Sequence, residues 1–448
     1  MANFNRRKIE TSFEKSSEEY LNTFKKYPVG CDEDKEKIFC FPFILDKETI
    51  LYIENYAKIM FIIRGPPSTG KASLSEMITE RYPHAIYCCA DRYFTNSFSR
   101  SERTRESIKE SHVYCTKKAE NACKSSAQTI IVQNTHMRKW EMQQYLDFAA
   151  LYNYTVIMAI TLYRFDCTPK ALAENNTDGL DIKYFINRLR QWEDVLPLFT
   201  GWFISPDDSS HILSHTLKTL EALLNDGKFC RVFDVYDIDG IKDYFKPRQV
   251  FYCPAAFSKN PYFMKKYYLS DLVQASYGKC FPLYIYGYMV TTNGIFAIVY
   301  FSTNITHLLL KPNSGEEDSQ SSFADMMNSL NIHPDLSENF ASFPEKVPEK
   351  TTVCFEDQDS AKELESSKCC FIDLARKEAS KFDIETVQQE FNQLINLIVD
   401  ANGNLNADEC TEIGSGNDDK IFRLPNDKWF IKPSKIMCLK SIFTGYYV

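Results

Sequence analysis

IMFIIRGPPSTGKAS, residues 59 to 73, joins a continuous apolar run to a glycine-spaced turn that ends in a lysine. Gly65 and Gly70 stand at the spacing of G-x-x-x-x-G-K-[ST], in which backbone N–H groups cradle phosphates and the lysine, here Lys71, adds a point charge. The phosphate contacts predicted on this pattern are Gly65, Ser68, Thr69, Gly70, Lys71 and Ser73. The pattern stops one residue short, because Ala72 occupies the position whose hydroxyl normally ligates the magnesium ion bridging the phosphates. Glycine and lysine at this spacing also arise by chance in unrelated turns, so the flanks decide the reading. Ile59 to Ile63 form the β-branched run of a buried parallel strand, and Leu74 and Met77 recur at helical spacing. Phosphate binding without a strong metal site is the expectation.

Outward from the loop, strands and helices alternate from Phe41 to about Asp226. Strand patterns fall at 59–63, 85–89, 129–132 and 154–160, with helical patterns at 101–124 and 138–151. The alternation predicts an α/β domain, a parallel sheet with helices on both faces, over 41–240. Residues 1–40 are polar and charged, without a sustained apolar period, and read as a mobile arm. A second, α+β domain is expected over 244–448. Its strand-like pieces are 249–253, 281–290, 295–301, 420–423, 428–431 and 436–443, with a hairpin turn at Thr292-Asn293-Gly294 and a helix at 383–399. Between 311 and 350 the composition shifts to Ser, Glu, Asp, Asn and Pro, which predicts a disordered surface insertion.

Composition narrows the function classes. The 448 residues carry a formal net charge of −8, which argues against broad electrostatic binding of duplex nucleic acid while leaving room for a local basic groove. Fifteen cysteines, odd in number and without a C-x-x-C pair, read as reduced thiols. No apolar stretch approaches the roughly 18 residues of a membrane span, and MANFNRRKIE lacks an apolar signal region. A cytoplasmic chain is expected, with any peripheral membrane association resting on Arg6-Arg7-Lys8 or on a partner protein.

Six stretches, in order, carry a resemblance: Phe41-Pro42-Phe43, FIIRGPPSTGK at 61–71, NYTVIMAITLYRFDC at 153–167, LPLFTGWF at 196–203, Tyr244-Phe245 leading into KPRQVFYC at 246–253, and IFTGYY at 442–447. Together they resemble the 2′,3′-cyclic-nucleotide 3′-phosphodiesterases (CNPases). That family implies a P-loop kinase-like domain followed by a two-histidine-phosphoesterase-like domain, and hydrolysis of 2′,3′-cyclic nucleotides to 2′-nucleotides. It also implies ATP or another nucleotide at the loop and a nucleotide or RNA 3′-end as ligand. Members of the family can end in a C-a-a-X box, but Thr444-Gly445-Tyr446-Tyr447-Val448 has no cysteine for prenylation.

The family's phosphoesterase chemistry resembles two H-x-[ST] motifs on neighbouring strands, one histidine as general base and the other as general acid. The first motif falls here on Tyr252-Cys253-Pro254, and the second is aligned near Thr352-Val353-Cys354. Neither has a histidine, and His307 and His333, taken as the histidines of the C-terminal half, lie outside both. A positioned acid or base contributes about 10²–10⁴-fold, so the loss predicts a catalytically impaired member, a pseudoenzyme that binds or scaffolds. At the loop, Gln133 stands where the family's second nucleotide-site strand ends in acids, which again removes a metal ligand. Asp91 matches a family aspartate and His136 a family histidine; for Asp91, a nucleotide-site acid and a helix N-cap or turn residue are both open. No metal ligand set and no required cofactor are expected. Two alternatives stay open: an active phosphodiesterase using substitute residues, and a P-loop nucleotide or polynucleotide kinase with Asp91 as its acid.

Overall fold

The computed structural model describes residues 26–96, 103–248, 251–257, 261–301, 309, 342–357, 370–377, 391–393, 395, 398, 411–416 and 419–447. The chain divides into two compact units. The first comprises Met1–Leu198, Asn260–Lys279 and Phe443–Val448, and the second comprises Phe199–Lys259 and Cys280–Ile442. The boundary expected at 240–244 falls inside the second unit.

The first unit is built on four parallel strands: β1 (Ile59–Arg64), β2 (Ile86–Cys89), β3 (Thr129–Gln133) and β4 (Thr155–Ile160), in the order β2-β3-β1-β4. β1 lies between β3 and β4, with Ile59 opposite Thr129 on one side and Thr155 on the other. All six of its residues are buried, as a run flanked by strands and covered on both faces requires. The helices that follow the strands are α1 (Lys71–Arg81), α2 (Arg105–Lys124) and α3 (Gln143–Leu151). Met60, Ile62, Ile130, Val132 and Met158 pack with Cys115, Ala119 and Cys123 of α2 and Leu146 and Ala149 of α3. α2 begins at 105 rather than 101, where a reciprocal cap fixes it: the Thr104 hydroxyl accepts from Ser107 N–H at 3.2 Å, and Ser107 Oγ accepts from Thr104 N–H at 2.9 Å. The expected helix over 138–151 is a 3₁₀ turn at Lys139–Glu141 followed by α3. A further helix, α4 (Ile182–Arg190), lies in a stretch to which the sequence pattern assigned nothing.

Two features correct the expectation of an arm over 1–40. Residues 1–25 lie outside the described residues, but Tyr27 N–H donates to Arg164 O at 2.9 Å, and Ile38, Phe39 and Cys40 are buried. The charged residues between them had masked a short helix, Lys35–Ile38, that buries one apolar side chain. At the other end of the chain, Tyr447 is buried with its hydroxyl 3.1 Å from that of Tyr268 and 2.9 Å from that of Tyr277. Tyr277 OH accepts from Met158 N–H, Thr444 Oγ1 donates to Val156 O at 2.8 Å, and a Cβ on Gly445 would fall 2.5 Å from Pro197. Residues 156–158 of β4 are thus capped by segments distant in sequence.

The second unit holds an eleven-stranded sheet along which β12 (Thr411–Gly416), β13 (Asp419–Leu424), β14 (Lys428–Lys432), β8 (Lys279–Val290), β15 (Lys435–Tyr446), β5 (Phe199–Ile204) and β7 (Tyr252–Phe257) follow in order. β10 (Cys354–Asp357) pairs with β15, while β11 (Cys370–Lys377) pairs with β6 (Phe245–Pro247) and β9 (Gly294–Tyr300). The identified pairings here are antiparallel. β8 and β9 meet at the expected hairpin, where Thr291 N–H donates to Gly294 O and the Thr291 hydroxyl accepts from Asn293 and Gly294 N–H. One long helix, α5 (Pro206–Glu221), starts at an N-cap in which Ser205 Oγ accepts from Asp208 N–H. The expected insertion lies outside the described residues from 311 to 341, and so do His307, His333 and most of the helix expected at 383–399.

Candidate functional site

The loop between β1 and α1 is a tight backbone cradle. Gly65 N–H donates to Thr135 O at 3.1 Å, and a Cβ at Gly65 would collide with the Thr161 hydroxyl, so glycine is required there. Gly70 holds φ +70° directly before α1, and a Cβ on it would press on Phe39 at 2.8 Å. Ser68 also adopts a left-handed conformation, φ +68°. The Thr69 hydroxyl is turned inward, donating to Pro66 O at 2.8 Å with Thr161 Oγ1 2.6 Å away, so Thr69 offers an anion its N–H rather than its oxygen. Lys71 Nζ donates across the loop to Pro66 O at 2.8 Å, while Ser73 is half-buried in the first turn of α1 and Ala72 is exposed. Burial holds the Lys71 ammonium down to about 8, partly offset by the negative charge of Asp91.

Around the cradle the polar groups are locked. Gln133 Oε1, at the end of β3, accepts from Ser75 Oγ at 2.5 Å and from Tyr87 OH at 2.6 Å. The strand end where a carboxylate would face a metal carries a neutral amide held by two hydroxyls. Asp91 is exposed directly before the short helix Arg92–Asn96 and forms an ion pair with Arg103 at 3.4 Å, while its charge also acts on Lys71. His136 is buried at φ +43°, and burial with the Arg64 charge pushes its pKa down to about 3, leaving a neutral ring unsuited to donating a proton. Arg64 explains the strand's last residue: its guanidinium donates to the carbonyls of His136, Met137 and Glu193 and stacks on Trp192.

In the second unit the two expected motif positions separate. Thr352 is bound to α5, its N–H and hydroxyl donating to the two oxygens of Asp208 at 2.7 and 2.8 Å. Cys354 starts β10 opposite Cys438. Neither is among the groups facing Tyr252. The strand that runs antiparallel beside residues 245–248 is β11: Ala375 is opposite Pro247 and Arg248 N–H donates to Leu374 O at 2.9 Å, and the thiols of Cys253 and Cys370 interact.

What β11 brings to Tyr252 is an ion cluster. Asp373 Oδ2 accepts from Arg248 Nε at 2.6 Å and from Arg376 Nε at 2.8 Å, and all three side chains are largely buried. Asp373 Oδ1 is buried with no hydrogen-bond partner among the described residues. The two guanidiniums and the carboxylate all act on the phenol. Burial raises the Tyr252 pKa, with Arg248 and Arg376 acting against it, so Tyr252 stays protonated near neutrality. Pro254, paired with Gly201 of β5, has neither a hydroxyl nor an N–H to offer. Arg248, Asp373 and Arg376 were missed in the sequence, although one signal was available. An aspartate within the apolar run CCFIDLA, 369–375, is buried only if paired, and the arginines are its partners.

The second unit also contains His211 and His215, one turn apart on α5. His215 Nδ1 lies 2.9 Å from Tyr288 OH, and burial pushes its pKa down to about 4. His211 lies 3.5 Å from Thr351 Oγ1. Both rings pack on Phe355, and neither is among the groups acting on Tyr252.

A parallel sheet with a glycine-lysine cradle, joined in one chain to an antiparallel sheet, defines a protein of two dissimilar units, the first of which carries a phosphate-type loop. Residues 196–329 match the family model for 2′,3′-cyclic nucleotide 3′-phosphodiesterase (CNPase). The rat 2′,3′-cyclic-nucleotide 3′-phosphodiesterase is 25% identical over 98% of this chain and 94% of its own, and the mouse protein of that name is 24% identical over the same shares. Over nearly its whole length the chain is thus similar to these phosphodiesterases, at about a quarter identity. Among solved structures, a fungal RNA kinase covers 87% of this chain and 99% of its own at 11% identity, with a TM-score of 0.25, too low to support any argument about fold.

Proposed function

We propose that this chain is a binding member of the CNPase family, holding a nucleotide, polyphosphate or RNA 3′-end without the family's hydrolytic chemistry. The observation that carries this reading is the environment of Tyr252: a protonated phenol beside the Arg248–Asp373–Arg376 cluster, where the family pattern has a histidine. The cluster supplies guanidinium N–H groups suited to an anion. Tyr252, held protonated by burial, is a poor base near neutral pH, and general acid–base catalysis requires a group that exchanges its proton there. In the P-loop kinase-like unit, the backbone of Gly65 to Lys71 and the Lys71 charge would hold phosphates, while Ala72 and Gln133 give Mg²⁺ little purchase.

The test is hydrolysis of a 2′,3′-cyclic nucleotide to its 2′-monophosphate by the purified chain, beside a Tyr252→His, Pro254→Thr variant. We expect no turnover by the natural chain and retained nucleotide binding that Lys71→Ala abolishes. Turnover at about 1 per second or faster would overturn the reading and make this an active phosphodiesterase with substitute residues. One observation favours a second reading, a nucleotide or polynucleotide kinase: the Asp91 carboxylate acts on Lys71. Mg²⁺-dependent phosphoryl transfer from ATP that disappears in Asp91→Asn would select it. A cytoplasmic, scaffolding role with a protein partner is consistent with the binding reading; among the described residues no helix is long and apolar enough to cross a membrane.

A further inference from the structure

A third group of chemistry-bearing side chains lies outside both places discussed so far, on the edge pairing of β10 with β15. The register sets Cys354 opposite Cys438, Phe355 opposite Met437 and Glu356 opposite Ile436. Side chains directly opposite on antiparallel strands share a face, and so do residues two apart on one strand. Cys354, Glu356 and Cys438 therefore project together, and their ligand atoms lie within 4.8 Å of one another. Phe355, between two of them, points to the opposite face and packs on His211 and His215.

We propose that Cys354, Glu356 and Cys438 form a binding site for a thiophilic divalent cation of the Zn²⁺ class. The donor set decides the class: two thiolates with one carboxylate favour zinc or cadmium, whereas calcium and magnesium select oxygen ligands alone. Tetrahedral zinc with sulfur at about 2.3 Å places two sulfurs about 3.7 Å apart, a closure within reach of side-chain rotation. Two thiolates and a carboxylate against one divalent ion leave one net negative charge and a fourth position for water or a partner's ligand. The two strands fix Cys354 and Cys438 before metal arrives, so binding orders few new groups. Cys354 Sγ lies against the carbonyl of Cys438, 3.7 Å from its oxygen. Cys354 and Glu356 are exposed, so the ion can reach the site, while Cys438 is half-buried. A bound ion would staple β10 to β15 across the long segment that separates them in sequence.

The experiment uses the full chain, reduced and freed of metal, with Co²⁺ as a spectroscopic probe. We expect one equivalent to bind with a near-ultraviolet thiolate-to-cobalt charge-transfer band, and Zn²⁺ to displace it. Cys354→Ser should abolish the band, Glu356→Gln should weaken binding about tenfold, and Cys31→Ser should leave it unchanged. Metal-free melting curves of the variants check folding, which substitution of the exposed Cys354 should barely alter. A band that survives in Cys354→Ser, the absence of a band in the natural chain, or a Cys354–Cys438 disulfide forming in preference to the metal complex would overturn the assignment.

Discussion

Lys71 and Gln133 decide what the first unit can hold. With its pKa brought down to about 8, Lys71 is charged below that pH and neutral above it. Affinity for a nucleotide phosphate should therefore be full near pH 7 and fall as pH rises through 8, as calorimetry with ATP across pH 6.5–9.5 would reveal. The unliganded protein should respond with the opposite sign. A lysine whose folded pKa is depressed binds fewer protons folded than unfolded, so this group favours the folded state progressively more from pH 8 up to its ordinary value near 10.5. Gln133→Glu leaves the hydroxyls of Ser75 and Tyr87 as donors and adds the missing charge at the end of β3. That variant should make nucleotide binding Mg²⁺-dependent, with affinity at least about fivefold higher with the ion than without it. Equal titrations with and without Mg²⁺ would remove Gln133 from the account.

At the scale of elements, β11 matters most. Asp373 is the carboxylate between two largely buried guanidiniums, and Asp373→Asn leaves both with a neutral partner. Loss of one member of a buried ion cluster costs about 3–5 kcal/mol, which urea unfolding of the variant beside the natural chain would measure. A loss below about 1 kcal/mol would mean that water reaches the guanidiniums. This element also marks how far the sequence could be read. β1, the loop and α1 were legible because an apolar run, fixed glycine spacing and helical periodicity each carry a local signal. The Tyr252 position was legible through KPRQVFYC. Its partners were not, because pairing between β11 and residues 245–248 joins segments more than a hundred residues apart, and no local period records a register. The same limit hid β5: FTGWFI, 199–204, was assigned no strand from its sequence, and nothing in it says that its neighbour runs antiparallel to it. Residues 26–40 depart from the expected arm for a different reason, since Ile38 to Phe41 is too short a run to announce a core contact.

Over the whole molecule, the first unit is discontinuous, assembled from the N-terminal segment, residues 260–279 and residues 443–448. Deleting 443–447 removes the buried Tyr447, its hydrogen bonds to Tyr268 and Tyr277, and the Thr444 bond to Val156. We expect that deletion to abolish ATP binding and to lower the melting temperature by several degrees, and a fragment ending at Leu198 to lack a cooperative transition altogether. Normal nucleotide binding by that fragment would show that β4 needs no cap. The tyrosine cluster has one more consequence, for biosynthesis. Tyr447 reaches the core only after the ribosome has made the entire second unit, so the phosphate cradle, made long before it, cannot be locked until residues 443–447 have emerged. The sheet of the first unit should therefore stay uncapped during synthesis until residues made some 280 positions after β4 arrive.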